Sequence, residues 1–197
     1  MSKTDNKVLD QILSQKKAEL APDMSDAEYF EIFVSQHVLR AFTLDSDEIQ
    51  SGLVDGAGDG GIDAIYLIVN GRLIREIEEA EDLKALKQNV QVDLIVIQAS
   101  TETSFNLKRI IRLKDTAEDI LTLDRPPSQF SEEYNQPLLD AIERFRIAHK
   151  ALATKYPALR RAVRHNGSFQ GQYSFQYGRP PSAGGHGPYC CRKAYSS

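Results

Sequence analysis

Two runs constrain this chain more than anything else in it: Ala64-Ile-Tyr-Leu-Ile-Val69 and Val92-Asp-Leu-Ile-Val-Ile-Gln-Ala99. Both are strand-sized, and both are apolar at successive rather than alternate positions. A strand that is apolar on both faces must be covered on both faces, which puts it inside a sheet with helices above and below. Asn70-Gly71, directly after the first run, is a turn signal. The expected architecture is therefore three-layer α/β. A mixed sheet containing 62–69 and 92–99 is flanked by helices over 26–42, 105–122 and 132–154.

The helices carry their own punctuation. Residues 5–19 read as a first helix with Val8, Ile12 and Leu13 as a narrow apolar stripe, ended by Pro22. Ser25 with Glu28 three residues on is a capping-box pattern that opens the helix 26–42. On it Phe30, Phe33, Val34, His37, Val38, Ala41 and Phe42 recur at helical spacing, so they are expected to face inward, with His37 packed in the core. Asp45 and Glu48 repeat the capping pattern for a short helix stopping at Gly52. Residues 73–88 read as a charged, mostly exposed helical insertion. Ser104 is the expected cap of 105–122, with Leu107, Ile110, Ile111, Ala117 and Leu121 inward, and Pro126-Pro127 separates it from the last helix.

Composition matters at one boundary. Residues 1–143 hold all 28 Asp and Glu against 14 Lys and Arg, whereas 144–197 hold ten basic residues and no acidic one. From His165 to Ser197 there are six Gly, three Pro and five Ser with no apolar period, so this stretch is expected to lack secondary structure. The chain thus reads as one domain over 1–156 followed by a low-complexity, disordered or out-of-frame tail over 157–197. The start of the chain shows no apolar leader, no run approaches the ~20 apolar residues of a membrane span, and the adjacent Cys190-Cys191 make no disulfide framework. A cytoplasmic location with no membrane partner is the expectation.

The polar residues that interrupt the strands carry the chemistry. Gly56-x-Gly58-x-x-Gly61 matches a dinucleotide-binding pattern, but that motif has to open a helix and here it opens a strand. A calcium loop counted from Asp55 fails because its twelfth position is Tyr66 rather than a bidentate glutamate. What remains is a phosphodiester-hydrolysing site. Such a site needs a divalent cation to neutralise charge at phosphorus and polarise water, and hard cations take oxygen ligands. Asp63 at the mouth of the first strand, Gln98 near the end of the second and a glutamate from the helix 26–42 meet that need.

Gly58-Asp-Gly-Gly-Ile-Asp63 running into Ala64-Ile-Tyr66, then 92–99, then Ser104-Phe105, resemble the N-terminal region of abortive-infection phage-resistance (AIPR) proteins. More distantly they resemble the Mrr-like branch of the PD-(D/E)xK restriction-endonuclease superfamily. The likeness covers about residues 25–155. It implies a restriction-endonuclease-like core and a Mg²⁺- or Mn²⁺-dependent endodeoxyribonuclease of a phage-defence system. DNA is the implied substrate, and a homodimer and phage-defence partner proteins are compatible with it. Carried over by position, Asp63, Gln98 and Glu31 are the implied metal ligands, with Glu28 an alternative to Glu31. Where the family has Gln-x-Lys this chain has Gln98-Ala99-Ser100, and a serine hydroxyl brings no positive charge. Lys108, on the next helix, is the candidate replacement. The members of the family are longer, which together with the loss of acidic residues suggests a truncated or out-of-frame C-terminus. Two alternatives stay open: a catalytically inactive remnant that binds nucleic acid or protein, and an interaction protein that docks a partner through 73–88.

Overall fold

The computed structural model describes residues 3–54, 56–100, 107–155 and 158–166. In chain order the elements are α1 (Lys3–Leu20), α2 (Asp26–Leu39), α3 (Ser46–Gln50), β1 (Ala64–Val69), β2 (Arg72–Ile74), α4 (Ile77–Asp82), β3 (Gln91–Ala99), α5 (Leu107–Leu121), α6 (Gln136–Leu152) and β4 (Ala158–Asn166). The protein is mixed α/β. Its sheet has the order β2-β1-β3-β4. Asn70 and Gly71 both adopt positive φ, 51° and 83°, and turn β1 back into β2 with Val69 opposite Arg72. β3 lies antiparallel to β1, and β4 lies parallel to β3 after the crossover through α5 and α6.

Both central strands are buried along their length, and the two faces feed separate cores. Ile65, Leu67 and Val69 with Val92, Leu94 and Val96 pack against Leu113 and Ile120 of α5 and Leu138, Ile142 and Phe145 of α6. Ala64, Tyr66 and Ile68 with Ile95 and Ile97 pack against Ile32, Val34 and Leu39 of α2 and Ile49 of α3. The two-sided apolar runs are thus covered on both sides. Tyr66 fastens the second layer: its buried hydroxyl donates to the Ile49 carbonyl at 2.7 Å. Its ring passes where a Cβ on Gly52 would stand, only 2.2 Å from Tyr66 Cε1.

The capping boxes at Ser25/Glu28 and Asp45/Glu48 are both formed. The inward faces differ from the expected stripes. α2 buries Tyr29, Ile32, Val34, Ser35 and Leu39, while Phe30, Phe33, Val38 and Phe42 are only partly covered and His37 is exposed. α5 buries Leu113, Thr116 and Ile120 and leaves Leu107 and Ile111 at the surface. α2 carries apolar residues around much of its circumference, so helical period by itself does not select one side, whereas α5 is amphipathic and buries one edge of its apolar face. Val8 and Ile12 of α1 are exposed as well.

One further expectation is corrected. Residues 73–88 are no exposed helix: they divide into β2, α4 and a 3₁₀ turn at Leu83–Ala85, with Leu73, Ile74, Ala80 and Leu83 buried. Glu79 organises this segment by accepting from Arg72 Nη2 at 2.6 Å and the Arg75 N–H at 2.8 Å. The sheet also continues past residue 157: β4 pairs with β3 from Gln91–Ala158 to Ala99–Asn166. An added edge strand is held by backbone hydrogen bonds, which leave no mark in side-chain periodicity. Asp55, Ser104, Phe105 and residues 167–197, the cysteine pair included, lie outside the described residues. Among the described residues, no helix is long and apolar enough to cross a membrane.

Candidate metal and phosphate site

The site is built where the glycine-rich loop enters β1. Asp59 starts the turn: its Oδ1 accepts the Gly61 N–H at 2.7 Å and its carbonyl accepts the Ile62 N–H at 3.0 Å. Gly60 sits at φ 63°, where a Cβ would lie 2.5 Å from Thr116 Cγ2. The Thr116 hydroxyl donates to the Gly60 carbonyl at 2.7 Å, and the Asn135 N–H, at the cap of α6, donates to the Gly58 carbonyl at 2.9 Å. The loop leads into a strand, as required by the rejection of the dinucleotide motif.

Asp63 comes out of this loop alongside the end of β3. Its N–H donates to the Ile97 carbonyl at 3.0 Å, and its Oδ2 accepts the Ala99 N–H. The carboxylate therefore completes the ladder of β3 just past the start of β1, where the next rung would otherwise lack a partner. Burial pushes the Asp63 carboxyl from 3.8 up to about 6. The Ala99 bond pulls it down, Asp59 pushes it up, and the Arg109 guanidinium pulls it down. Gln98 is buried, and by strand alternation it shares the side of Leu94 and Val96, the side covered by α5. Its Oε1 is buried without a hydrogen-bond partner among the described residues.

The remaining sequence candidates divide. Ser100, two residues past Gln98 at the end of β3, receives a hydrogen bond from Arg109 Nη1 at 3.1 Å. Lys108 is exposed and lines a groove with Ile111, Arg112, Thr116, Asp119 and Tyr134. Glu31 is partly buried on α2, the helix that packs on the opposite face of the sheet from α5, and Glu28 is exposed and closes the capping box at Ser25. Among the described residues, no three His, Cys, Asp or Glu gather within reach of one cation. A cation held at Asp63 would draw on the Gln98 amide oxygen, and the unpartnered Oε1 fits that use.

Two participants were not among the site residues expected from the sequence. Asp59 acts electrostatically on Asp63 and pairs with Arg112 at 3.6 Å, and Arg109 reaches both Ser100 and the field of Asp63. The signal was present in the spacing Lys108-Arg109-x-x-Arg112, which places two guanidiniums one helical turn apart, but in sequence it is indistinguishable from an exposed helix face.

No family model, curated protein or solved structure matches the chain.

Proposed function

We propose that the chain is the nuclease-like domain of a phage-defence protein, with a restriction-endonuclease-like core. In this reading it hydrolyses DNA phosphodiesters with Mg²⁺ or Mn²⁺ held by Asp63 and Gln98. The observation that carries the reading is the pairing of a partly buried carboxylate with a buried, unpartnered amide oxygen at the ends of adjacent strands. A buried carbonyl oxygen left without a partner costs about 1–3 kcal/mol, and a cation at that point would remove the cost. When bound, the cation neutralises phosphate charge and polarises water.

The chain's own residues do the rest. The Ala99 N–H fixes the Asp63 carboxylate, and the turn anchored by Thr116 and Asn135 fixes its approach. Hydrolysis adds one water across a P–O ester bond: oxygen joins phosphorus, one hydrogen goes to the departing oxygen, and the other is lost to solvent. The test is conversion of supercoiled plasmid to nicked circles with Mg²⁺ or Mn²⁺. The parent should nick and Asp63→Ala should not; equal rates would refute the assignment.

A second reading, a nuclease-fold module that binds nucleic acid or protein without cutting it, draws on one observation. Ser100 stands where the resembled motif has lysine, and its hydroxyl is engaged by Arg109. It predicts DNA binding that falls steeply with salt and no cleavage with any divalent cation.

A further inference from the structure

A phosphoryl-transfer site needs fixed positive charge facing the oxygens on which negative charge develops. Ser100 supplies none. Three cations start α5 near this point, and they are not equivalent. Lys108 points to the exposed groove. Arg112 pairs with Asp59 in the turn. Arg109 is half-buried and donates through Nη1 to Ser100 Oγ at 3.1 Å. Ser100 directly follows β3, and Arg109 belongs to α5, the helix that covers the face of the sheet that Gln98 shares. The bond to Ser100 therefore holds the guanidinium on the side of the strand that carries the unpartnered Gln98 oxygen.

We propose that Arg109, anchored by Ser100, supplies the cation that grips the scissile phosphate beside Asp63. The assignment rests on the nuclease reading above. Guanidinium is suited to this place. It carries five N–H donors in a planar fork, so a bond to a serine hydroxyl is compatible with a bidentate grip on phosphate oxygens. It stays charged at every working pH, so it stabilises charge and moves no proton. Serine at position 100 then has a positive role: it orients the arginine. The charge has moved from the strand to the helix packed over it.

The experiment uses the full chain and four proteins: the parent, Arg109→Gln, Ser100→Lys and the double variant. Three readouts apply: Mn²⁺-dependent plasmid nicking, Mn²⁺ binding by electron paramagnetic resonance, and Ca²⁺-supported duplex binding by fluorescence anisotropy. Arg109→Gln should cut nicking about 100-fold, as loss of one stabilising donor does elsewhere. It should also weaken duplex binding while Mn²⁺ binding is kept or tightened. Ser100→Lys should restore nicking in the Arg109→Gln background, since it returns one cation to the end of β3 beside Gln98. Nicking by Arg109→Gln within threefold of the parent overturns the proposal and leaves the nuclease reading intact. So does failure of Ser100→Lys to rescue a folded, Mn²⁺-binding Arg109→Gln protein. A parent that binds Mn²⁺ and nicks nothing overturns both.

Discussion

Asp63→Asn isolates the cost of keeping a carboxylate at this rim. Asparagine has the same shape and keeps an oxygen for the Ala99 N–H, so the change removes charge and little else. Burial raises the folded-state carboxyl from 3.8 to about 6, so the folded protein prefers it protonated. The sign follows from linkage. The stabilising contribution is complete below 3.8 and is lost as pH rises through about 6, where the fold must hold a carboxylate that water would solvate better. At about 1.36 kcal/mol per pH unit the full penalty is roughly 3 kcal/mol. Residual solvent contact screens part of it, leaving about 2 kcal/mol. Asp63→Asn is therefore expected to stabilise the protein by about 2 kcal/mol at pH 7.5 and by almost nothing at pH 3.5 to 4. Paired urea titrations of parent and variant at the two pH values measure this, because titrating groups that do not interact with position 63 cancel in the difference. Added Mg²⁺ should then narrow the gap at pH 7.5 by stabilising the parent alone. An Asn variant that is less stable than the parent at pH 7.5, or a difference that does not change with pH, would refute the electrostatic account.

Gly60→Ala places a Cβ at positive φ and within 2.5 Å of Thr116 Cγ2, so it should cost about 2–4 kcal/mol in urea and weaken Mn²⁺ binding at Asp63. Tyr66→Phe removes the closer of two donors to the buried Ile49 carbonyl, leaving the Gly52 N–H at 3.3 Å, and should cost about 0.5–1.5 kcal/mol, with amide exchange of α3 rising more than that of β3. Arg146→Met removes the guanidinium that lies over the Phe130 ring and donates to the Asp119, Thr122 and Arg125 carbonyls. It should cost about 1–3 kcal/mol, seen as a lowered urea midpoint with an unchanged slope.

What the order of residues determined by itself is local or one-dimensional. The capping boxes at Ser25/Glu28 and Asp45/Glu48, the Asn70-Gly71 turn and the two covered strands each depend on neighbours a few positions apart, where chemistry alone decides. Asp63 and Gln98 stood out for a similar reason: a polar group in an otherwise apolar run needs some partner, and both now lie at the rim where β1 begins and β3 ends. The tertiary structure decided everything that depends on a choice among equals. α2 offers apolar residues on more than one side, and only the sheet selected Ile32, Val34 and Leu39. β4 joins through backbone pairing, to which its arginine-rich sequence is indifferent. Arg109 is one cation in a basic stretch until packing brings the first turn of α5 to Ser100, just past β3, where a 3.1 Å bond sets it apart from Lys108 and Arg112. Long-range proximity is the property a linear pattern cannot carry, because it is fixed by how whole elements cover one another.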